Sequence, residues 1–355
     1  MKTHKQYDYS KLEDKFQKEF KWNKARVFLF VRLVIGILTI GQINLMKLAN
    51  IINSKATQNS NFRRIQRFLT NFDVDFNVIA KFMKTFLGDE KLILILDRTN
   101  WKFGKTNINI LMLAIAYKGM AIPIFWNLLD KKGNSNFDER KEIIEKFLKL
   151  FDVEQIKVLV ADREFKGIKW FKWLDENKIL FAIRVPNSSV ITGVKGKKSV
   201  KTSFRFLKRG GVSTFKKPKL IYEQKLYVTG MLLDELSVIL SNYSSNTIAD
   251  DYKKRWEIET LFGAYKSRGF NLEKTHLQDR DKIAKLLAVM AVTFVWAYII
   301  GEWLNEKKPI KIKKHGRLEK SLFRYGLDYL NNILACIDGL QVTKFRTVCG
   351  KLSCT

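Results

Sequence analysis

The sequence predicts an α/β fold: a mixed sheet flanked by helices, interrupted by a β-rich insertion and preceded by a helical N-terminal domain. Two observations predict it. The first is a change of pattern at Gly88, from helix-like spacing with no alternation to the apolar runs LILILD (92–97), INILMLAIAY (108–117) and AIPIFWNLL (121–129). Continuous runs of this kind suit strands covered on both faces. The second is the order that follows: an amphipathic stretch at 137–151, the strand-like IKVLVAD (156–162), a helical stretch at 167–177 and the strand-like LFAIRV (180–185).

Three strands, helix, strand, helix, strand is the order of a ribonuclease-H-like core, and it places the catalytic segment at 89–304. Residues 1–88 precede it as a helical region. Within that region Leu45, Leu48 and Ile52 share one helix face, and Phe62, Ile65 and Leu69 share another. Arg63, Arg64 and Arg67 fall on the outer side of the second helix, which makes a DNA-reading helix-turn-helix one expectation and a basic solvated face the other. The linking stretch, Asn53 to Asn61, is longer than the usual three or four residues of that motif.

After Pro186 the core is interrupted by an insertion at 187–242, a Lys-, Gly- and Ser-rich segment that returns at the strand-like LSVILSN (236–242). Residues 187–233 hold eleven Lys and Arg against the single Glu223, so the segment is expected to lie outside the core with a basic surface. Its alternating stretches, Ser203–Leu207 and Leu220–Tyr227, read as strands. A long helix is then expected from Asn246 towards Arg268, with Thr247 and Asp250 at capping-box spacing. The basic C-terminal region, 305–355, carries Lys307, Lys308, Lys311, Lys313 and Lys314 around Pro309, and its fold does not read from the pattern.

Composition narrows the function classes. A chain of 355 residues that is 46% hydrophobic can bury a sizeable core, and a formal charge of +30 exceeds what solubility requires. Its simplest partner is a polyanion, with nucleic acid ahead of an anionic membrane. Leu286–Gly301 has no formal charge but is shorter than the roughly 20 residues of a membrane span, so it reads as a buried core helix. Val27–Ile40 is apolar too, but Arg32 and the charged segment before it argue against a span or a signal peptide. The protein is therefore expected to be cytoplasmic. Cys336, Cys349 and Cys354 cannot all pair, which suits a reducing compartment. His4, His276 and His315 are scattered, without zinc-ligand spacing.

The chemistry is expected at three carboxylates. Asp97 and Asp162 each end an apolar strand-like run, where an ionised carboxylate is costly unless paired or metal-bound. Ligands collect at the carboxyl ends of strands in open α/β sheets. The third is Glu259. At about 100° per residue, Tyr252, Arg255, Glu259 and Lys266 project within about 60° of one another, opposite Ile258, Leu261 and Tyr265. An i,i+4 salt bridge between Arg255 and Glu259 is the plainer reading of the same stripe.

Tyr252, Arg255, Glu259 and Lys266, at spacings of three, four and seven, resemble the Tyr-Arg-Glu-Lys signature of the insertion-sequence-four group of bacterial DD(E) transposases. LILDRTNW (94–101), VADREF (160–165) and NFRRIQRF (61–68) resemble the family's first-Asp strand, second-Asp turn and N-terminal region. The resemblance runs from about residue 42 to 304. It implies a ribonuclease-H-like domain with a β insertion, Asp97, Asp162 and Glu259 as catalytic metal ligands, and Tyr252, Arg255 and Lys266 on the phosphates of a transposon end. Some relatives stack a flipped base on a tryptophan of the insertion. No tryptophan occurs between Trp173 and Trp256 here, which leaves Phe204, Phe206, Phe215, Tyr222 and Tyr227 as candidate stacking surfaces.

The expected reaction is phosphodiester cleavage followed by joining of the 3′-OH to target DNA. Oxygen ligands point to two Mg²⁺ ions, with Mn²⁺ as a substitute. The expected partner is double-stranded DNA, both terminal inverted repeats and target, and bringing two ends together implies a homodimer on DNA. A nuclease that cuts without joining and an inactive DNA-binding descendant are the competing readings.

Overall fold

The computed structural model describes residues 8–52, 56–193, 196–314, 316–335 and 339–352. His4, His315, Cys336, Cys354 and part of the Asn53–Asn61 link lie outside the described residues.

The chain opens with five helices, α1 (Ser10–Phe20), α2 (Lys24–Ile40), α3 (Leu45–Ile51), α4 (Gln58–Asn71) and α5 (Phe76–Lys84). Their starts follow from side chains that accept the otherwise orphaned first-turn amides. Asn23 accepts from Arg26 N, Asn44 from Lys47 N and Thr57 from Ser60 N. Helix α2 stops where Gly41 takes a left-handed conformation, which glycine adopts without steric cost. The region is thus helical, as expected from the absence of alternation.

Strands β1 (Leu92–Phe103), β2 (Thr106–Tyr117) and β3 (Met120–Leu128) follow, then α6 (Phe137–Leu148), β4 (Ile156–Ala161), α7 (Ile168–Glu176) and β5 (Phe181–Val185). A capping box joins Asn136 and Glu139 at the start of α6. Strands β1, β4 and β5 are parallel neighbours, and β2 and β3 extend the sheet beyond β1. This is the mixed sheet the apolar runs predict. Strand β1 does not end at Asp97; it continues past the apolar run into a hairpin with β2.

The insertion departs from expectation in two ways. It comprises β6 (Val190–Gly193), β7 (Gly196–Ser199), the short helix α8 (Val200–Ser203), β8 (Val212–Thr214), β9 (Lys219–Ile221), β10 (Gln224–Leu232) and β11 (Leu236–Ser241). It is β-rich, and β11 pairs antiparallel with β5, as expected where the core returns; but the segment before it is not wholly peripheral, because β10 pairs with β11 and continues the core sheet. The stretch Ser203–Leu207 is not a strand. The Phe204 ring turns inward over Gly230, where a Cβ would lie 2.5 Å from it. That contact ends the segment as a turn. Leu220–Tyr227 is a hairpin, reversing at Tyr222 and Glu223 with positive φ at both.

The long helix expected from Asn246 is broken. Helix α9 (Ile248–Lys253) passes through a 3-10 turn at Lys254–Trp256 into α10 (Glu257–Tyr265). The expected capping box is replaced: Thr247 Oγ1 donates to Asp251 Oδ2 at 2.8 Å, while Asp250 pairs with Lys253. Buried Asp251 also accepts from Lys157 on β4 at 2.6 Å, tying α9 to the sheet. The C-terminal part forms α11 (Arg280–Lys307), α12 (Leu322–Ala335) and α13 (Gly339–Lys351).

Packing divides the chain into two units. One comprises Met1–Phe86, Phe103–Thr106 and Leu261–Thr355; the other comprises Leu87–Lys102 and Asn107–Thr260 and holds the sheet. In the first unit α11 is the central element. It has the length and composition of a membrane span, yet 83% of its most apolar stretch is buried inside the protein, as expected for a core helix. Its backbone meets that of α12 at two glycines: a Cβ on Gly301 would stand 1.8 Å from Leu322 O, and one on Gly326 1.8 Å from Ala297 O.

Candidate active site

Parallel pairing of β1 with β4 brings Leu96 level with Ala161. The next residues, Asp97 within β1 and Asp162 just past the end of β4, therefore stand at the same height on neighbouring strands. Each carboxylate accepts the amide of the residue after it, Arg98 N at 2.8 Å and Arg163 N at 2.7 Å. The turn after Asp162 is held firmly. Arg140 on α6 donates to Glu164 O at 2.9 Å and Lys166 O at 3.3 Å, and its guanidinium lies over the Phe165 ring.

Arg255, in the 3-10 turn, reaches back to this pair. Its Nη1 donates to Asp97 Oδ2 at 3.1 Å and its Nη2 to Glu259 Oε1 at 3.3 Å. The guanidinium is only 9% exposed and Asp97 16%, whereas Glu259 is 62% exposed. Arg255 thus bridges a buried carboxylate and a solvated one. Among the described residues no group of three or more His, Cys, Asp or Glu side chains is gathered to hold a metal ion; the guanidinium joins Asp97 to Glu259 instead.

Burial pushes the Asp97 carboxyl up to about 6, against the pull of Arg255 and the Arg98 amide, and nearby Glu164 and Asp162 push the same way. A cation beside a group so placed favours its ionised form, and Arg255 is one such cation. Carboxylate oxygens from Asp97, Asp162 and Glu259 are the hard donors that divalent Mg²⁺ prefers, so the donor chemistry fits such an ion. Tyr252 is buried beside Arg255, Asp162 and Arg184; burial raises its phenol to about 12, and its hydroxyl makes no hydrogen bond of proper geometry.

Three residues adjoining the two aspartates were not singled out by sequence reasoning. Arg98 grips Glu164 with two bonds, Nε to Oε1 and Nη2 to Oε2, both 3.0 Å, and adds Asn109 Oδ1 at 3.0 Å. This fork links the strand after Asp97 to the turn after Asp162. Arg184 on β5 lies 3.8 Å from Asp162 and also pairs with Glu235. The signal for the fork was present in the paired DR and DRE strings; Arg184 left none, because its strand reads as ordinary core.

Lys266 belongs to the first unit and pairs with Glu273 at 3.4 Å. On α4, Arg63 and Arg67 are exposed, while Arg64 is half-buried over the Phe28 ring with Asn61 beside it. Of the insertion aromatics, Phe204 is buried and stacked with Phe215, and Tyr222 meets the edge of Phe171. Phe206 is 62% exposed. His276 packs against Phe103, and the Cys349 thiol is pushed up to about 12 by burial.

A mixed α/β sheet with two aspartates level on neighbouring parallel strands, and a glutamate brought to them through one arginine, defines a carboxylate-centred α/β protein. The chain belongs to the Transposase DDE domain family, whose model matches residues 88–296. No curated protein matches this sequence. Among solved structures it is similar to one described as a piggyBac transposase synaptic complex with hairpin DNA, at 12% identity and a TM-score of 0.46, covering 93% of this chain and 76% of that one.

Proposed function

We propose that this protein is a DD(E) transposase of the insertion-sequence-four group. In this reading it binds the inverted repeats of a bacterial insertion sequence, cleaves there, and joins the freed 3′-OH to target DNA. The observation that carries the proposal is the level placement of Asp97 and Asp162, with Arg255 connecting Asp97 to Glu259.

Asp97, Asp162 and Glu259 are assigned as the ligands of two Mg²⁺ ions, with Mn²⁺ as a substitute. When bound, such ions activate the attacking oxygen and stabilise the departing one. The protein's own groups prepare the place. Burial makes the ionised form of Asp97 costly, the Arg98–Glu164 fork holds its strand against the turn that follows Asp162, and Arg255 serves meanwhile as the counter-ion of Asp97. Tyr252, Arg255 and Lys266 are assigned to phosphates of the transposon end. For Arg255 that role requires its guanidinium to leave Asp97, so the same cation would serve in turn as counter-ion and as phosphate clamp.

Double-stranded DNA contacts are assigned to Arg63 and Arg67 on α4, with Arg64 supporting the helix. They extend to the exposed Lys197, Lys198, Lys201, Arg205, Lys208, Lys216 and Lys217 of the insertion. Phe206 is assigned as the base-stacking surface of that insertion. Assembly as a homodimer on DNA and a cytoplasmic location complete the proposal.

The test is a strand assay. Labelled duplex carrying the sequences that flank the gene is incubated with the protein and Mg²⁺, with a second duplex as target. Cutting at an inverted-repeat boundary followed by joining is expected. Cutting without joining would make the protein a nuclease, and binding without cutting would make it an inactive relative.

A further inference from the structure

The C-terminal lysines are not spread along a solvated coil. Residues 311–314 and 316–319 run as the two sides of a small hairpin in the first unit, closed by an antiparallel bridge between Ile312 and Leu318. Its two sides are held by Lys313 N donating to Arg317 O at 2.9 Å and Glu319 N to Lys311 O at 2.8 Å. The base is fixed as well: Ile310 is 7% exposed, its amide donates to Asn305 Oδ1 at 2.8 Å, and Tyr325 Oη donates to Lys308 O at 3.3 Å.

What the hairpin presents is unusual for a surface turn. Ile312 is 70% exposed and Leu318 44%, and as cross-strand partners they form one apolar spot. Around it Lys311, Lys313 and Lys314 are all exposed, and among the described residues no ion pair engages any of them. Two lysines at the margins are occupied: Lys307 lies over the Trp303 ring and Lys320 pairs with Asp328. Cations left unpaired on an anchored ribbon, with aliphatic groups between them, complement a surface that is anionic at its edges and partly apolar between.

We propose that this hairpin is a second DNA-binding element, which lays its ribbon in the major groove of a duplex. A two-stranded ribbon fits that groove, lysines reach the flanking phosphates, and aliphatic side chains meet thymine methyls. Ile312 and Leu318 fill the last role. The inference rests on the proposed DNA-binding function and adds to it a contact outside the sheet-bearing unit that holds Asp97, Asp162 and Glu259.

The test measures binding of the full chain to a fluorescein-labelled mixed-sequence duplex of about 30 base pairs, long enough to span nearly three turns. Anisotropy is followed in EDTA over a range of KCl concentrations. The variant Lys311→Ala/Lys313→Ala/Lys314→Ala is expected to lower the slope of log K against log[KCl] by about 2 to 3, since each phosphate contact contributes about 0.9. A control with the same charge loss, Lys141→Ala/Lys172→Ala/Lys320→Ala, removes cations already paired with acids and is expected to change the slope by less than about 1. Ile312→Ser/Leu318→Ser is expected to weaken binding about tenfold with the slope kept. Equal slopes for the hairpin variant and wild type would overturn the hairpin alone. Wild type that binds anionic phospholipid vesicles and not the duplex would overturn both the hairpin and the DNA-binding reading.

Discussion

Replacing Asp97 by Asn tests whether this carboxylate is held at a cost to the fold. An acid ordinarily near 3.8 that titrates near 6 in the folded protein is harder to ionise there than in the unfolded chain. Between those two values the folded state keeps a proton that the unfolded state has lost, so stability falls as pH rises through the interval. The shift of roughly two units corresponds to about 3 kcal/mol, at about 1.4 kcal/mol per unit. Asn mimics the protonated form in size and charge. Asp97→Asn is therefore expected to match wild type near pH 4 and to exceed it by about 2 to 3 kcal/mol above pH 7. Urea unfolding of both proteins in EDTA at a series of pH values reads the difference directly. A variant less stable than wild type at pH 7.5, or a difference that does not change with pH, would refute the reasoning.

Other consequences follow from particular contacts. Arg98→Ala removes both bonds to a Glu164 whose side chain is 20% exposed; it is expected to cost about 2 to 4 kcal/mol, read by urea unfolding, and to reduce cleavage even though Arg98 is not assigned to bind DNA. Gly326→Ala would place a Cβ 1.8 Å from Ala297 O; overpacking of this kind costs about 1 to 3 kcal/mol or more, visible as a lowered melting temperature. Phe206→Ala removes an exposed ring with little packing to lose, so stability should change by less than about 0.5 kcal/mol. Binding to a duplex with one unpaired base should weaken by about 1 to 3 kcal/mol, and unchanged binding would remove Phe206 from the DNA surface.

The sheet was legible because its apolar strands are buried, and a run such as LILILD has few other uses. Level placement of Asp97 and Asp162 could be anticipated from two apolar runs that each end in Asp. The broken helix could not. Periodicity from Tyr252 to Lys266 is continuous, and only packing reveals that Lys254–Trp256 tightens to a 3-10 turn and delivers Arg255 to Asp97. The insertion misled for a related reason: its lysines mark what faces water, while pairing of β10 with the returning strand β11 depends on backbone bonds that composition does not record. Of the C-terminal helices, α11 was legible as an uncharged apolar run, whereas α12 was not: its closest contact with α11 rests on Gly326, a residue that reads in a sequence as a helix breaker and acts here as room for a neighbouring backbone.

The central claim is that Asp97, Asp162 and Glu259 serve one metal-dependent centre. It is tested most directly by assaying Asp97→Asn, Asp162→Asn and Glu259→Gln beside wild type, for duplex binding in EDTA and for cleavage in Mg²⁺ and in Mn²⁺. The account predicts that all three variants bind as wild type does and that none cuts with either ion. Cleavage at the wild-type rate by any one of them would contradict it.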